Sequence, residues 1–247
     1  TETAMAILPC GSGNGLARHL RLPMNLKKCI DIINMCDIHS LDYGIINQHP
    51  FFCTCGMGFD AFISMKFANA GKRGPITYVQ QVLEEGVKYI PETYEIEDED
   101  GIQHYKAFLV SAANASQYGN NAYIAPQASM SDGLQVAIEL FNKTLDKNLK
   151  IKTFKAKHLH IHRKQAGLIH FDGDPVISDA DVDISIVPKG IHILVNPNGD
   201  RGDRQPNILQ TAFSEIFFNI DLMKQDFIKQ SRKVQAINKN LLRKLNI

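Results

Sequence analysis

Short runs of apolar residues, separated by Gly, Asn, Asp and Pro, make up most of the chain after residue 37. Runs of this length that are rich in β-branched and aromatic residues predict strands, and many in succession predict an antiparallel sandwich or barrel. We therefore expect an antiparallel β-sandwich domain over residues 38–195. The predicted strands are residues 38–46, 51–55, 93–97, 106–112, 134–141, 159–162, 168–171, 182–186 and 191–195.

The first 37 residues have a different pattern. An apolar run over residues 4–8 precedes a Gly-rich turn, and residues 16–20 and 26–35 then have a helical pattern. A short buried strand, a tight turn and a helix in succession are typical of a βα unit in a parallel sheet. Because a parallel strand needs neighbours, we interpret residues 1–37 as the C-terminal part, or remnant, of a Rossmann-like α/β domain, and we expect a fragment or a processed chain.

Two further segments have a helical pattern. Residues 76–89 predict a helix inserted among the strands. After a polar linker rich in Gly and Pro at residues 196–206, residues 208–245 predict a helical C-terminal tail. We therefore divide the chain into an α/β part (1–37), a β-sandwich domain (38–195) and a linker with a helical tail (196–247).

Composition adds few constraints to this architecture. The hydrophobic fraction is 44%, the charged fraction is 21% and the net charge is +1, which gives no overall electrostatic attraction to nucleic acid. The five cysteines have neither disulfide nor zinc spacing, and no apolar run reaches the length of a membrane span. We therefore expect a cytoplasmic protein with no nucleic-acid partner and no transmembrane span.

A glycine-rich turn is the strongest chemical signal. Gly11, Ser12, Gly13 and Asn14 stand between the apolar run and a predicted helix. Backbone N–H groups in such a turn can hold phosphate oxygens, and glycines permit close approach of the ligand. Ser12 offers a hydroxyl donor, whereas Asn14 can either cap the helix or bind the ligand. The turn is neither a Walker loop nor a dinucleotide-binding fingerprint.

This turn and four later motifs, in the same order, resemble the catalytic domain of the diacylglycerol kinase family, which includes sphingosine and bacterial lipid kinases. The resemblance extends over about residues 5–195. Its motifs are LPCGSGNGLARHL (8–20), DYG (42–44), GMGFDA (56–61), NASQY (114–118) followed by APQASMSDGL (125–134), and FDGDP (171–175).

The resemblance implies a role for several residues. Gly11, Ser12, Gly13 and Asn14 would bind ATP, and Asp174, where the family usually has Glu, would act as the catalytic base. Ser129, Asp132 and Leu134 would hold a structural Mg²⁺, and Asp42 would join this network through water. For each site the residues alone leave an alternative: residues 172–175 can be only a tight turn, as can the Asp132-Gly133 pair, and Asp42 can simply bind nearby amides.

Three alternating histidines, His158, His160 and His162, project from one face of a predicted strand. Such spacing can bind zinc, but no matched carboxylate or cysteine accompanies the histidines in the sequence. We interpret this face as solvated.

We therefore expect an ATP-dependent lipid kinase that uses ATP and Mg²⁺ and meets its lipid substrate at the membrane surface. The alternatives are a kinase of a soluble substrate, as in NAD kinases, and a non-catalytic module that binds lipid or nucleotide. We also expect a homodimer, because a sheet edge exposed by truncation favours pairing.

The 247-residue chain alone should not transfer phosphate, because its sequence lacks the family's Gly-Gly-Asp-Gly-Thr phosphate loop. Incubation with Mg²⁺, labelled ATP and lipid micelles should give no labelled lipid. Measurable ATP-dependent turnover by this chain would contradict the expectation.

Overall fold

The computed structural model describes residues 3–11, 13–69, 89–119, 122–132, 136–143 and 149–197. These residues form three helices, α1 (Gly15–His19), α2 (Leu26–Met35) and α3 (Phe59–Asn69). The strands in chain order are β1 (Ile38–Ile46), β2 (His49–Phe51), β3 (Thr54–Gly58), β4 (Glu92–Asp98), β5 (Gly101–Ala107), β6 (Leu109–Ala113), β7 (Gln117–Gly119), β8 (Ala122–Tyr123), β9 (Val136–Lys143), β10 (Leu149–Ala156), β11 (His158–Arg163), β12 (Gly167–Phe171), β13 (Asp174–Ser178) and β14 (Asp181–Leu194).

Two six-stranded antiparallel sheets contain most of these strands. One sheet has the order β2-β1-β14-β11-β4-β5, the other has the order β10-β9-β6-β3-β12-β13, and β7 and β8 form a separate two-stranded sheet. Alternate side chains of both large sheets form a common hydrophobic core, as expected for a sandwich. Its largest fully buried members are Tyr94, Phe51, Ile46, Met57, Ile96, Leu159, Ile161, Ile169 and Ile184. The predicted mostly antiparallel β architecture is confirmed.

The N-terminal residues are attached to one end of β14. Met5 forms an isolated parallel bridge with Ile193, and its amide donates to the His192 carbonyl at 2.8 Å. The predicted buried strand over residues 4–8 is wrong, since Met5 and Leu8 are exposed. Among the described residues, this run forms a β-bridge at one position only, between Met5 and Ile193 of β14.

The α1 and α2 helices pack on each other through a small hydrophobic cluster of Ala17, Leu22, Cys29 and Ile32. The bounds of α2 agree with the prediction. The Asn25 side chain caps α2 by accepting a hydrogen bond from the Lys28 amide at 3.1 Å, which satisfies one of the unpaired amides of the first turn.

Several strands and one helix differ from the prediction. The segments 182–186 and 191–195 are one continuous strand, β14, since a bulge opposite β1 accommodates the Pro188-Lys189-Gly190 sequence. The α3 helix was missed because apolar residues lie on every side of it and leave no helical stripe. The predicted helix at 76–89, except Tyr89, and the tail at 208–245 lie outside the described residues. No helix in the described part of the chain is long and apolar enough to cross a membrane.

Arg163 joins the base of the β12–β13 hairpin to β11. Its guanidinium, which is only 2% exposed, donates to the carbonyls of Leu168, Gly167, Ser178 and Asp179 at 2.8–3.1 Å. Burial lowers the pKa of Arg163, although nearby Tyr94 and Glu92 oppose the shift. The buried cation therefore fixes both strands of this hairpin at their open end.

Replacing Arg163 with Met should lower the free energy of unfolding by about 3 kcal/mol, because buried carbonyls would lose their donors. Urea unfolding measures the change. Lys164→Met, at the neighbouring exposed position, should change the free energy by less than about 0.5 kcal/mol. Equal effects of the two variants would contradict the role of the buried guanidinium.

Candidate active site

Residues 114–119 (NASQYG), which we name the central segment, contact the glycine-rich turn directly. Asn14 forms an antiparallel bridge with Gly119. A Cβ on Gly15 would lie 2.9 Å from the Tyr118 carbonyl oxygen, and a Cβ on Gly119 would lie 2.8 Å from the Gly13 backbone. These backbones approach so closely that larger residues at the two glycines would clash.

The glycine-rich turn is closed by its own asparagine. The Gly11 amide donates to Asn14 Oδ1 at 2.9 Å, and Asn14 Nδ2 donates to the Gly11 carbonyl at 2.8 Å. Asn14 has a positive φ of 51°, and its side chain makes no hydrogen bond that caps α1. Asn14 therefore occupies the N-cap position of α1, but its side chain closes the turn and does not cap the helix. Ser12 lies outside the described residues.

A buried histidine connects α1 to the central segment. His19 is 6% exposed, and its Nδ1 accepts a hydrogen bond from the Ser116 amide at 3.0 Å. The Ser116 hydroxyl lies 3.0 Å from the same nitrogen. Because Nδ1 accepts a backbone N–H, the neutral ring carries its proton on Nε2. The helix that follows the glycine-rich turn is thus fixed to the central segment at both of its ends.

Asp42 lies at the bulge between β1 and β14 and is 1% exposed. Its Oδ1 accepts the Lys189 amide at 2.8 Å, its carbonyl accepts Asn114 Nδ2 at 2.9 Å, and its amide donates to the Met130 carbonyl at 2.7 Å. Asp42 therefore lies beside the predicted magnesium segment. Its carboxylate binds the Lys189 amide, which corresponds to the alternative in which Asp42 binds nearby amides.

The predicted magnesium ligands are only partly described, since Leu134 lies outside the described residues. Ser129 Oγ accepts the Ser131 amide at 3.3 Å, and Asp132 pairs with Lys155 at 3.4 Å. No cluster of three or more His, Cys, Asp or Glu in the described ranges is arranged to hold a metal ion. The Asp132 carboxylate and the Ser129 carbonyl are oxygen donors of the kind that Mg²⁺ prefers. With so few protein ligands, a bound Mg²⁺ would keep most of its water.

The β12–β13 hairpin carries the candidate base at its tip. Asp172 and Gly173 have φ values of 49° and 94°, and Phe171 pairs with Asp174, so the tip is a two-residue turn with left-handed residues. Asp174 is exposed, and its carboxylate has no hydrogen-bond or ion-pair partner in the described part of the chain. The tip therefore presents Asp174 to solvent on a rigid turn.

Asp172 holds this tip against the turn between β2 and β3. Its carboxylate accepts the amides of Phe52, Cys53 and Thr54 at 2.7, 2.7 and 3.0 Å, and its own amide donates to the Thr54 carbonyl. Although the residue as a whole is exposed, loss of water around the carboxylate raises the pKa of Asp172. The three amide hydrogen bonds oppose this rise because they stabilise the ionised form.

The same turn is attached to the central segment. The amides of Asn114 and Ala115 both donate to the Cys53 carbonyl at 2.9 Å, and Asn114 Nδ2 also donates to the Phe52 carbonyl. The glycine-rich turn, Asp42 and the tip that carries Asp174 are therefore all connected through residues 114–119.

The three alternating histidines have carboxylate partners that the sequence analysis did not identify. On the neighbouring strand β14, Asp183 lies 2.9 Å from His160 Nδ1 and Asp181 lies 2.7 Å from His162 Nδ1. The hydrogen bond with Asp183 raises the pKa of His160, and that with His162 lowers the pKa of Asp181. All of these groups are at least partly exposed, in agreement with a solvated face.

Comparison with known families identifies the class of the chain. Residues 53–195 match the model of the YegS C-terminal NAD kinase beta sandwich-like domain, and residues 1–46 match that of the diacylglycerol kinase catalytic domain. The first match alone spans more than half of the chain. The chain therefore belongs to the family of the YegS C-terminal domain, and the match of its first 46 residues, together with the relatives below, supports the diacylglycerol kinase catalytic-domain family.

Individual relatives agree with this assignment. The chain is 27% identical over 217 residues to a diacylglycerol kinase of Mycobacterium tuberculosis, with 78% of this chain and 70% of the relative covered. It is 23% identical over 210 residues to the "Probable lipid kinase YegS" of Escherichia coli, with 79% and 70% covered. A solved diacylglycerol kinase structure from Bacillus anthracis has the same fold, with a TM-score of 0.60, 18% identity and 78% and 67% of the two chains covered.

Replacing Asp172 with Asn should destabilise the protein by about 2 kcal/mol, because the new amide group would face one of the three backbone N–H groups as a second donor. Urea unfolding should show this loss, and hydrogen exchange at residues 52–54 should become faster. Asp174→Asn is a matched control two residues away and should change stability by less than about 0.5 kcal/mol. Equal losses in the two variants would contradict the role of the Asp172 carboxylate in holding the hairpin tip.

Proposed function

We propose that this protein is an ATP-dependent lipid kinase that transfers the γ-phosphate of ATP to a lipid hydroxyl. The observation that carries the proposal is the attachment of three family motifs to one central segment: the glycine-rich turn, Asp42 and the tip with Asp174. Phosphoryl transfer needs phosphate positioning and a proton acceptor in fixed relation, and a shared rigid support provides that relation.

Asp174 would act as the base in this reaction. As the lipid oxygen forms its bond to the γ-phosphorus, the carboxylate would take the hydroxyl proton, and the bond to the β-phosphate oxygen would break to release ADP. The exposed position of Asp174 on a left-handed turn supports this role, since the carboxylate can reach a substrate and has no competing partner in the described ranges. Asp is one methylene shorter than the family's usual Glu, so the substrate hydroxyl would have to come closer to the backbone.

Gly11, Ser12, Gly13 and Asn14 would contribute backbone amides to the ATP phosphates, as part of an N-terminal Rossmann-like portion. The close packing of Gly13 and Gly15 on the central segment supports this, because it holds these two residues of the turn in place without a ligand. Ser129, Asp132 and Leu134 would hold Mg²⁺, which would offset negative charge near the site when bound, and Asp42 would support this segment through the Met130 carbonyl.

The lipid substrate would be reached at the membrane surface by a protein that remains cytoplasmic. Diacylglycerol and sphingoid bases are the two substrate classes to compare, because both present a primary hydroxyl on a lipid that stays in the bilayer.

The test uses the protein in the longest form that its gene encodes, with Mg²⁺, labelled ATP and separate micelles of diacylglycerol, sphingoid base and ceramide. Label should appear in one lipid, and Asp174→Asn should lower kcat by about 10²–10⁴-fold, because the proton acceptor would be lost. Asp100→Asn changes the same residue type in the β4–β5 hairpin turn and should leave kcat unchanged.

Transfer to no lipid would contradict the proposed activity, and ATP binding without transfer would favour a non-catalytic module. Transfer to NAD would identify a kinase of a soluble substrate. An unchanged kcat in Asp174→Asn would remove Asp174 from the role of base.

A further inference from the structure

A hydrogen-bonded triad that contains one buried histidine has no part in the chemistry described above. One carboxylate oxygen, Asp60 Oδ2, is 2.8 Å from the Tyr118 hydroxyl and 2.8 Å from His170 Nε2. The His170 side chain is 1% exposed and that of Asp60 is 10% exposed. Both partners are donors to the carboxylate, so a single oxygen joins two side chains that are far apart in the sequence.

Asp60 reaches its partners across a glycine. Gly56 on β3 pairs with His170 on β12 and with Ser111 on β6, and Asp60 projects over this row from the first turn of α3. A Cβ on Gly56 would lie 2.8 Å from Asp60 Oδ2 and 3.0 Å from His170 Nε2. The first glycine of the Gly-Met-Gly-Phe-Asp-Ala motif, Gly56, therefore leaves space for the aspartate of the same motif, Asp60.

Each partner of Asp60 belongs to a different part of the proposed site. Tyr118 is in the central segment, and its carbonyl packs against Gly15 at the end of the glycine-rich turn. His170 pairs across the hairpin with Pro175, the residue after the proposed base Asp174. The Asp60 carboxylate therefore connects the element that supports the glycine-rich turn with the hairpin that carries Asp174.

The orientation of His170 depends strongly on this contact. Its Nδ1 is buried and has no hydrogen-bond partner in the described part of the chain, so the bond to Asp60 is the one that fixes the ring. Tyr118 has a second, longer contact of 3.4 Å from its hydroxyl to Ser111 Oγ. In a site with little water, losing one donor would weaken the geometry of the other, because both share one acceptor atom.

We propose that Asp60, Tyr118 and His170 form a positioning unit that holds the glycine-rich turn and the Asp174 hairpin in a fixed relative geometry. The catalytic part of this inference rests on the proposed function, whereas the coupling between the two elements does not. The unit touches neither ATP nor lipid; it acts through the backbones on which the turn and Asp174 are placed.

The coupling is tested in the 247-residue chain by hydrogen exchange with mass spectrometry, using Tyr118→Phe, which keeps the ring and removes only the hydroxyl. Exchange at residues 168–174, on the far side of Asp60, should become at least about threefold faster. His170→Gln and His170→Leu should in turn accelerate exchange at residues 116–119, with the smaller effect in His170→Gln, which retains an N–H donor. Tyr105→Phe, on the edge strand β5, is the matched control and should change neither region.

Acceleration confined to the residues around each substitution would overturn the coupling, whether or not the protein is a kinase. If His170→Leu prevents folding, Tyr118→Phe alone decides the question, because it preserves the packing.

Kinetics in the longest gene product test the positioning role. Tyr118→Phe should lower kcat about tenfold and change the KM for ATP less than about threefold, because a small misplacement of reacting groups affects the transition state more than binding. His170→Gln should retain more of kcat than His170→Leu. Remote exchange effects with an unchanged kcat would refute the positioning role, and the absence of wild-type transfer would refute the proposed function while leaving the coupling result intact.

Discussion

The hydrogen bonds between the Asp172 carboxylate and three consecutive amides of residues 52–54 hold the candidate site together. A carboxylate that accepts three backbone N–H groups fixes a turn more firmly than side-chain packing can at an exposed position. The same turn accepts hydrogen bonds from Asn114 and Ala115. The turn therefore joins the Asp174 hairpin to the central segment. In the described part of the chain, the hairpin is also attached through its strands, since β12 pairs with β3 and α3 packs on β12 and β13.

The second requirement is close approach of backbones. Gly15, Gly56 and Gly119 lie where a Cβ would come within 3.0 Å of neighbouring backbone or polar atoms. These glycines allow the glycine-rich turn to pack on the central segment, and the Asp60 carboxylate to pack on β3, without intervening side chains. The chemistry-bearing residues therefore depend on positions that have no side chain at all, and a substitution there would displace several motifs together.

Local patterns were sufficient for the sandwich but not for its connections. The bounds of β1 and α2 could be predicted because alternation, a capping Asn25 and an apolar face are local signals. The continuity of β14 could not be predicted, because a Pro-Lys-Gly sequence normally ends a strand. The bulge that contains this sequence is held by Asp42 on the neighbouring strand β1, whose carboxylate accepts the Lys189 amide. In the candidate site, motif order predicts Asp174 as the base and the glycine-rich turn as the phosphate-binding element. The contacts of Asp172 with residues 52–54 and of Asp60 with His170 join residues more than 100 positions apart and have no local pattern.

A crystal structure of the longest gene product with Mg²⁺ and a non-hydrolysable ATP analogue would decide whether these elements form one active site. The phosphates should contact the amides of residues 11–15, Asp172 should still accept the three amides of residues 52–54, and the Asp174 carboxylate should face the terminal phosphate. Phosphates bound elsewhere, or an Asp174 that points away from the nucleotide while the Asp172 contacts persist, would contradict a single active site.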